Sequence, residues 1–215
     1  MQTEDLEKAN GHLLQIANED KLTGISNRRH FDEAYKLIWN KAASTATEVS
    51  IIIIDIDHLK SLNDRYGHVH GDEVLRRIAT LLREDLRIRG DFVARYGGEE
   101  FVAVVANSSN EIAWRVAERL RSLIEAGSRP GESSGEWSEP CWPTISCGVA
   151  TGRPQPFADR WGLINQADEA LYQAKDAGRN RVCDASVFRV ASKDSCSLHE
   201  LASVEGFGPE EACGQ

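Results

Sequence analysis

A run of apolar, mostly β-branched residues, Val49-Ser50-Ile51-Ile52-Ile53-Ile54, is followed at once by Asp55-Ile56-Asp57. Four consecutive isoleucines place apolar side chains on both faces of an extended chain, and β-branching suits the pleated backbone, so the run predicts a central strand covered on both sides. Two carboxylates two residues apart would share one face at its end. A second acidic pair stands in Arg95-Tyr96-Gly97-Gly98-Glu99-Glu100-Phe101. There, adjacent glycines separate two strand-like runs as the tip of a hairpin over 91–106. Strands of one sheet can bring the two acidic pairs together, and packed carboxylates repel unless a cation lies between them.

The 215 residues are 41% hydrophobic and 27% charged, the content of one ordinary soluble core with extensions. A net charge of -9 argues against a sequence-independent nucleic-acid binder, while leaving room for a local basic pocket that takes a phosphate-bearing small molecule. No apolar run approaches the roughly 18 residues of a membrane-spanning helix, and the N-terminus lacks the basic-then-apolar order of a secretory signal. The expected location is cytoplasmic. The cysteines, at 141, 147, 183, 196 and 213, are odd in number and without paired short spacing, which indicates neither a zinc site nor a disulfide framework.

Leu6, Ala9, Leu13 and Ile16 repeat at a and d spacing over two heptads. Residues 1–18 therefore read as a linker helix, either packed on its own domain or forming the end of a dimeric coiled coil. Phe31, Ala34, Tyr35 and Ile38 predict a helix over 28–41, closed by a loop over 42–47. After a polar connection over 58–72, Val74, Leu75, Ile78, Leu81 and Leu82 predict a helix over 71–85. Ile112, Val116, Leu120 and Leu123 predict another, capped by Ser108 or Asn110. Residues 127–140 read as a surface loop, 143–150 as a strand, and Ala167, Ala170, Leu171 and Ala174 as a last helix ending at Gly178. The order strand, helix, strand, strand, helix, strand is that of a split βαβ, ferredoxin-like α+β sandwich: an antiparallel sheet with helices on one face. The domain is expected over 19–183, with 184–215 a poorly ordered tail.

The connection after Asp57 carries what a nucleotide requires. Backbone amides at His58 and Leu59 can receive phosphate oxygens, and Lys60 adds a point charge. Asn63 offers a donor and an acceptor, and Asp72 offers two acceptors that suit the N1 and 2-amino donors of guanine. Lys175 and Arg179, four apart across a helix end, can reach the same phosphates. Each has a plainer reading: acids at a strand end cap the next helix, and basic residues near a helix C-terminus answer its dipole. No Gly-rich loop with a following Lys-Ser or Lys-Thr is present, which excludes a P-loop.

Taken together, these residues resemble a known family. Leu22-Thr23-Gly24 with Asn27-Arg28-Arg29, Asp55-Ile56-Asp57 with Lys60 and Asn63-Asp64, Tyr66-Gly67-His68 with Gly71-Asp72, the hairpin Arg95–Phe101, Ser146 with Gly148-Val149-Ala150, and Ala167-Asp168 through Gly178-Arg179-Asn180 are similar, over 20–182, to the GGDEF domain of bacterial diguanylate cyclases in its GGEEF variant. The resemblance implies a nucleotidyl-cyclase-like fold and the condensation of two GTP into cyclic di-GMP with release of two pyrophosphates, assisted by Mg²⁺ or Mn²⁺. Two domains would face each other in a homodimer, each 3′-hydroxyl attacking the partner's α-phosphate. It further implies that Asp55, the Ile56 carbonyl and Glu99 hold metal, with Glu99 assisting deprotonation of the hydroxyl. Asn63 and Asp72 would read guanine, with His68 near the same pocket. Lys60, Lys175 and Arg179, together with the amides of His58 and Leu59, would contact phosphates. An upstream sensor domain or a partner protein would supply the input. The alternative is a non-catalytic GGDEF-like module that binds GTP or cyclic di-GMP and regulates a partner. One departure concerns the family's Arg-x-x-Asp product-inhibition site: Asp91 is in place, but Ile88 stands where the arginine belongs, so that site is incomplete. Leu59 also replaces a frequent aromatic, at a position expected to act through its backbone.

Overall fold

The computed structural model describes residues 17–87, 91–127, 142–155 and 159–185. The heptads before residue 17, most of the 127–140 loop, Ile88 and the expected tail from 186 onward lie outside them. Strand β1 (Val49–Ile56) is buried along its whole length and pairs antiparallel with both β3 (Glu100–Ala106) and β4 (Ile145–Gly152). β2 (Phe92–Gly97) forms the hairpin with β3, and a short β5 (Val182–Asp184) joins β4 in parallel. The order across the sheet is β2-β3-β1-β4-β5. The sheet is therefore mixed rather than purely antiparallel. At three residues, β5 is too short to leave a period-2 pattern in the sequence.

Among the described residues the helices that pack on the sheet are α1 (Arg28–Thr45), α2 (Leu59–Tyr66), α3 (His68–Arg87), α4 (Asn110–Gly127) and α5 (Trp161–Asp176). They cover both faces of the sheet, not one, and the isoleucine run shows why. Ile52, Ile54 and Ile56 pack with Val74, Ile78 and Leu82 of α3 and with Val116 and Leu120 of α4. Val49, Ile51 and Ile53 point the other way, into Phe31 and Tyr35 of α1 and Leu163, Ala167 and Leu171 of α5. Each such side chain removed from water contributes on the order of 1.5–3 kcal/mol, and a strand apolar on both faces obtains this only between two helical layers.

Several boundaries differ from the sequence expectation. α1 continues through the predicted loop to Thr45 because Ala42 is buried on the helix's apolar face. The polar connection after Asp57 is mostly helical: α2 occupies it, Gly67 at φ 85° breaks the helix, and α3 starts at His68 rather than 71. The cap contact of α4 comes from Ser109, whose hydroxyl accepts from the Ile112 amide at 3.4 Å. Ser108 is turned inward, with its carbonyl accepting from the Ser50 hydroxyl. Among the described residues no helix is long and apolar enough to cross a membrane.

Candidate active site at the end of the central strand

The C-terminal end of β1, the hairpin tip and the end of α5 meet at one edge of the sheet. In the pairing register Asp55 stands opposite Glu100 on β3 and opposite Ser146 on β4. The Ile56 amide donates to the Glu99 carbonyl at 3.3 Å, which ties the tip to the strand end. Glu99 is thus beside Asp55 as expected, and Glu100, to which the residue pattern assigned no role, is its direct register partner.

The tip is held from behind. Arg95 donates through Nε and Nη2 to the Gly98 carbonyl at 3.0 and 2.7 Å, and through Nη1 to Asp20 Oδ1 at 3.0 Å. The same Asp20 oxygen accepts from the amide and hydroxyl of Thr23, so the Leu22-Thr23-Gly24 turn anchors the hairpin. Burial alone would raise the Asp20 carboxyl, but the Thr23 and Arg95 contacts outweigh it and hold it below the ordinary carboxylate value.

Asp55 is 4% exposed. Its Oδ2 lies 2.8 Å from Lys175 Nζ, in the last turn of α5. That approach depends on Gly148 of β4: a Cβ there would lie 2.1 Å from the Ala167 carbonyl oxygen and 2.2 Å from the Leu171 nitrogen. Backbone of α5 occupies the space a side chain would take. Burial raises the Asp55 carboxyl against the pull of Lys175, and burial followed by the Asp55 charge raises both Glu99 and Glu100. Three crowded carboxyls with elevated proton affinity are a site short of positive charge.

Asp57 does not join them. Asp57 lies one residue past the end of β1, where its amide extends the β1–β4 ladder by donating to the Thr144 carbonyl at 2.9 Å. Asp57 is instead buried and spent on three donors: the Ser146 hydroxyl at 2.7 Å, the Thr144 hydroxyl at 2.7 Å and the Asn180 amide at 3.0 Å. It joins β1, β4 and the segment after α5. Thr144 and Asn180 carried no sequence signal for this role beyond Asn180's place in the Gly-Arg-Asn triplet.

His58 precedes α2 without capping it by its side chain, which leaves the first-turn amides of α2, beginning at Leu59, at a helix N-terminus. Lys60 is exposed on that turn, and His68 and Asp72 lie at the start of α3, exposed and half-buried. Asn63 is half-buried against Gly71, where a Cβ would come within 1.8 Å of its Oδ1. That oxygen is buried and has no hydrogen-bond partner. Arg179, at φ 64°, is close enough to Asp55 to offset a little of the rise that burial imposes on its carboxyl, and its guanidinium donates to the Lys175 carbonyl at 3.5 Å.

For a metal, the donors on offer are the Asp55 and Glu99 carboxylates and the Ile56 carbonyl, all hard oxygens of the kind Mg²⁺ and Mn²⁺ accept. Among the described residues no three His, Cys, Asp or Glu side chains close around a common point. The set therefore fits a cation that completes its shell with water or ligand oxygens, rather than a caged structural ion. Asp91 lies elsewhere, lining a cavity of about 500 Å³ with Ser26, His30 and Arg83. A second cavity, of about 310 Å³, opens on the Ser61, Leu62 and Arg65 side of α2, against Trp142.

The family profile described as "Diguanylate cyclase, GGDEF domain" matches residues 17–181. The uncharacterized protein YhcK of Bacillus subtilis is 40% identical over 182 residues, covering 82% of this chain and 49% of its own length. Diguanylate cyclase DosC of Escherichia coli is 39% identical over 163 residues, 76% of this chain and 34% of that protein. The chain thus spans half or less of the length of these curated relatives. Among solved structures, the coiled coil and GGDEF domain of DgcB from Caulobacter crescentus, in complex with c-di-GMP, aligns with a TM-score of 0.73 at 30% identity, covering 85% of this chain and 95% of that one. The active GGEEF domain of a diguanylate cyclase from Vibrio cholerae aligns with a TM-score of 0.65 at 31% identity, covering 74% and 96%.

Proposed function

The chain belongs to the GGDEF family, and from that premise we propose that it is a diguanylate cyclase, joining two GTP into cyclic di-GMP across a homodimer with loss of two pyrophosphates. The observation that carries this reading is the acid cluster of buried Asp55 with half-buried Glu99 and Glu100, facing Lys175 and Arg179 and adjoining the N-terminus of α2. Each domain binds one GTP. The α2 amides from Leu59 onward and Lys60 receive its β- and γ-phosphates, while Lys175 and Arg179 approach from the other side. Asn63 and Asp72 take the donors of guanine; adenine, which lacks the N1 hydrogen, would leave these acceptors unmatched. His68 flanks the same pocket.

A Mg²⁺ or Mn²⁺ ion held by Asp55, the Ile56 carbonyl and Glu99 would offset phosphate charge and acidify the attacking hydroxyl. Glu99 accepts the hydroxyl's proton. The 3′-oxygen then forms its bond to the partner substrate's α-phosphorus as the bond to pyrophosphate breaks. One domain cannot close the cycle, because each active hydroxyl belongs to the GTP of the facing domain. We place the reaction in the cytoplasm, with input from an additional domain or a partner protein. Incubation with GTP and Mg²⁺ tests the reading: a confirmed dimer should form cyclic di-GMP, and Glu99→Ala should abolish it. No product from that dimer, or full activity in Glu99→Ala, would refute it.

A further inference from the structure

Resting on the proposed GTP site, the geometry points to Arg121 and Asn180 as positioning residues for its phosphate end, acting through the turn that carries Arg179. Gly178, Arg179 and Asn180 all have positive φ, at 110°, 64° and 45°. Only the first is glycine, so two consecutive residues with side chains occupy the left-handed region, which persists only where surrounding contacts enforce it. The Arg179 amide donates to the Ala174 carbonyl at 3.0 Å, closing α5, but that bond does not constrain Asn180.

What constrains Asn180 comes from two directions. Its amide donates to buried Asp57, two residues beyond Asp55. Its side chain reaches α4, where Oδ1 accepts from Arg121 Nη1 at 2.8 Å and Nδ2 donates to Glu125 Oε1 at 3.1 Å. Both ends of the carboxamide are therefore engaged by partners of opposite demand, which fixes its orientation. Arg121 is 13% exposed and is itself gripped by Glu118 and Glu125, at 2.7 and 2.9 Å. Those two acids already satisfy its charge within α4, so the bond to Asn180 is an additional link between distant segments. A chain of contacts runs from Arg121 through Asn180 to Asp57 at the end of the central strand. Arg179 immediately precedes the residue that this chain grips, and its charge bears on Asp55. Releasing Asn180 from Arg121 lets the turn relax out of its left-handed conformation and takes the guanidinium away from the phosphates.

A double-mutant cycle on the full chain tests this, using GMPCPP with Mg²⁺ as the probe because its α,β-methylene bridge blocks transfer. Arg121→Met should weaken GMPCPP binding roughly tenfold, as expected when a charged phosphate contact is no longer preorganised. In an Arg179→Ala background the same change should cost less than about twofold, since its route of action is already gone. Asn180→Ala, which removes the carboxamide but keeps the amide that bonds Asp57 and the cost of the left-handed turn, should reproduce the Arg121→Met effect and serves if Arg121→Met does not fold. Wild-type affinity in both folded variants, or losses that multiply with Arg179→Ala, would overturn the inference. Wild-type protein that binds GMPCPP yet forms no cyclic di-GMP would remove the proposed activity while leaving this cycle readable. Wild-type protein that fails to bind GMPCPP would overturn both.

Discussion

Gly148→Ala places a methyl group where helix α5 touches the sheet. Its Cβ would stand 2.1, 2.2 and 2.8 Å from the Ala167 oxygen, Leu171 nitrogen and Leu171 Cα, all backbone atoms without a rotamer to yield. Reaching ordinary contact at 3.4 Å demands a retreat of about 1.3 Å by α5, since a close-packed interior has no void to absorb the clash. Overpacking of this size costs about 1–3 kcal/mol, equivalent to a Tm fall of roughly 3–10 °C for a domain of this length. The functional loss should be larger. Lys175 lies one turn beyond Leu171, and its 2.8 Å contact with Asp55 stretches out of hydrogen-bond range when the helix lifts. Misplacement of a phosphate-binding group by about 1 Å costs on the order of 100-fold in rate. Thermal unfolding and cyclic di-GMP formation should be measured beside Gly162→Ala, on the same helix, where an added Cβ meets nothing within 4 Å. That control should unfold at or above the wild-type temperature. A Gly148→Ala protein indistinguishable from the control in both assays would show that the close approach of α5 does not set the Lys175–Asp55 contact.

Four other outcomes are expected. Because the carboxyls of Asp55, Glu99 and Glu100 are raised in the fold, their ionised forms weaken it. The metal-free protein should therefore recover stability from this cluster as pH falls from neutral through the raised values, and Mg²⁺ should raise the Tm at neutral pH; an equal Mg²⁺ shift in Asp55→Asn would contradict this. Asp20 has the opposite sign: its lowered carboxyl contributes stability above the ordinary 3.8 that is lost as pH falls through the folded value. Comparing acid unfolding of Asp20→Asn with wild type should show a smaller pH dependence below about 4 in the variant, and parallel curves would argue against the Arg95 and Thr23 contacts as its source. Gly71→Ala, by driving its Cβ into Asn63 Oδ1, should raise the KM for GTP severalfold with little change in Tm, and an unchanged KM would remove Asn63 from guanine binding. Because Ile88 replaces the arginine of the product-inhibition motif, cyclic di-GMP should inhibit weakly or not at all through Asp91; tight, multivalent binding by calorimetry that disappears in Asp91→Ala would reverse that expectation.

Much of the site was legible in the chain because the features that define it are local. The glycine pair and acids of the hairpin, the isoleucine run with Asp55 at its end, and the polar stretch from His58 to Asp72 are each contiguous. What was not legible depends on partners far away in sequence. Asp57 reads as a twin of Asp55 until the fold gathers Thr144, Ser146 and Asn180 around its carboxylate. Glu100 reads as redundant beside Glu99 until the β1–β3 register sets it opposite Asp55. The helical character of residues 59–66 was hidden by their polarity: only Leu59 and Leu62 are buried, too few to make a periodic stripe.

The sequence by itself determined that a doubly apolar strand lies at the centre, that acids gather at a glycine hairpin, and which side chains are available for a nucleotide, since side-chain chemistry and periods of 2 and 3.6 act over a few residues. Only the tertiary structure decided which helices cover each face, that α5 presses on Gly148 closely enough for Lys175 to reach Asp55, and that Arg121 reaches across to Asn180. Those outcomes depend on register, contact distance and hydrogen bonds between segments separated by tens of residues, and no local pattern encodes them.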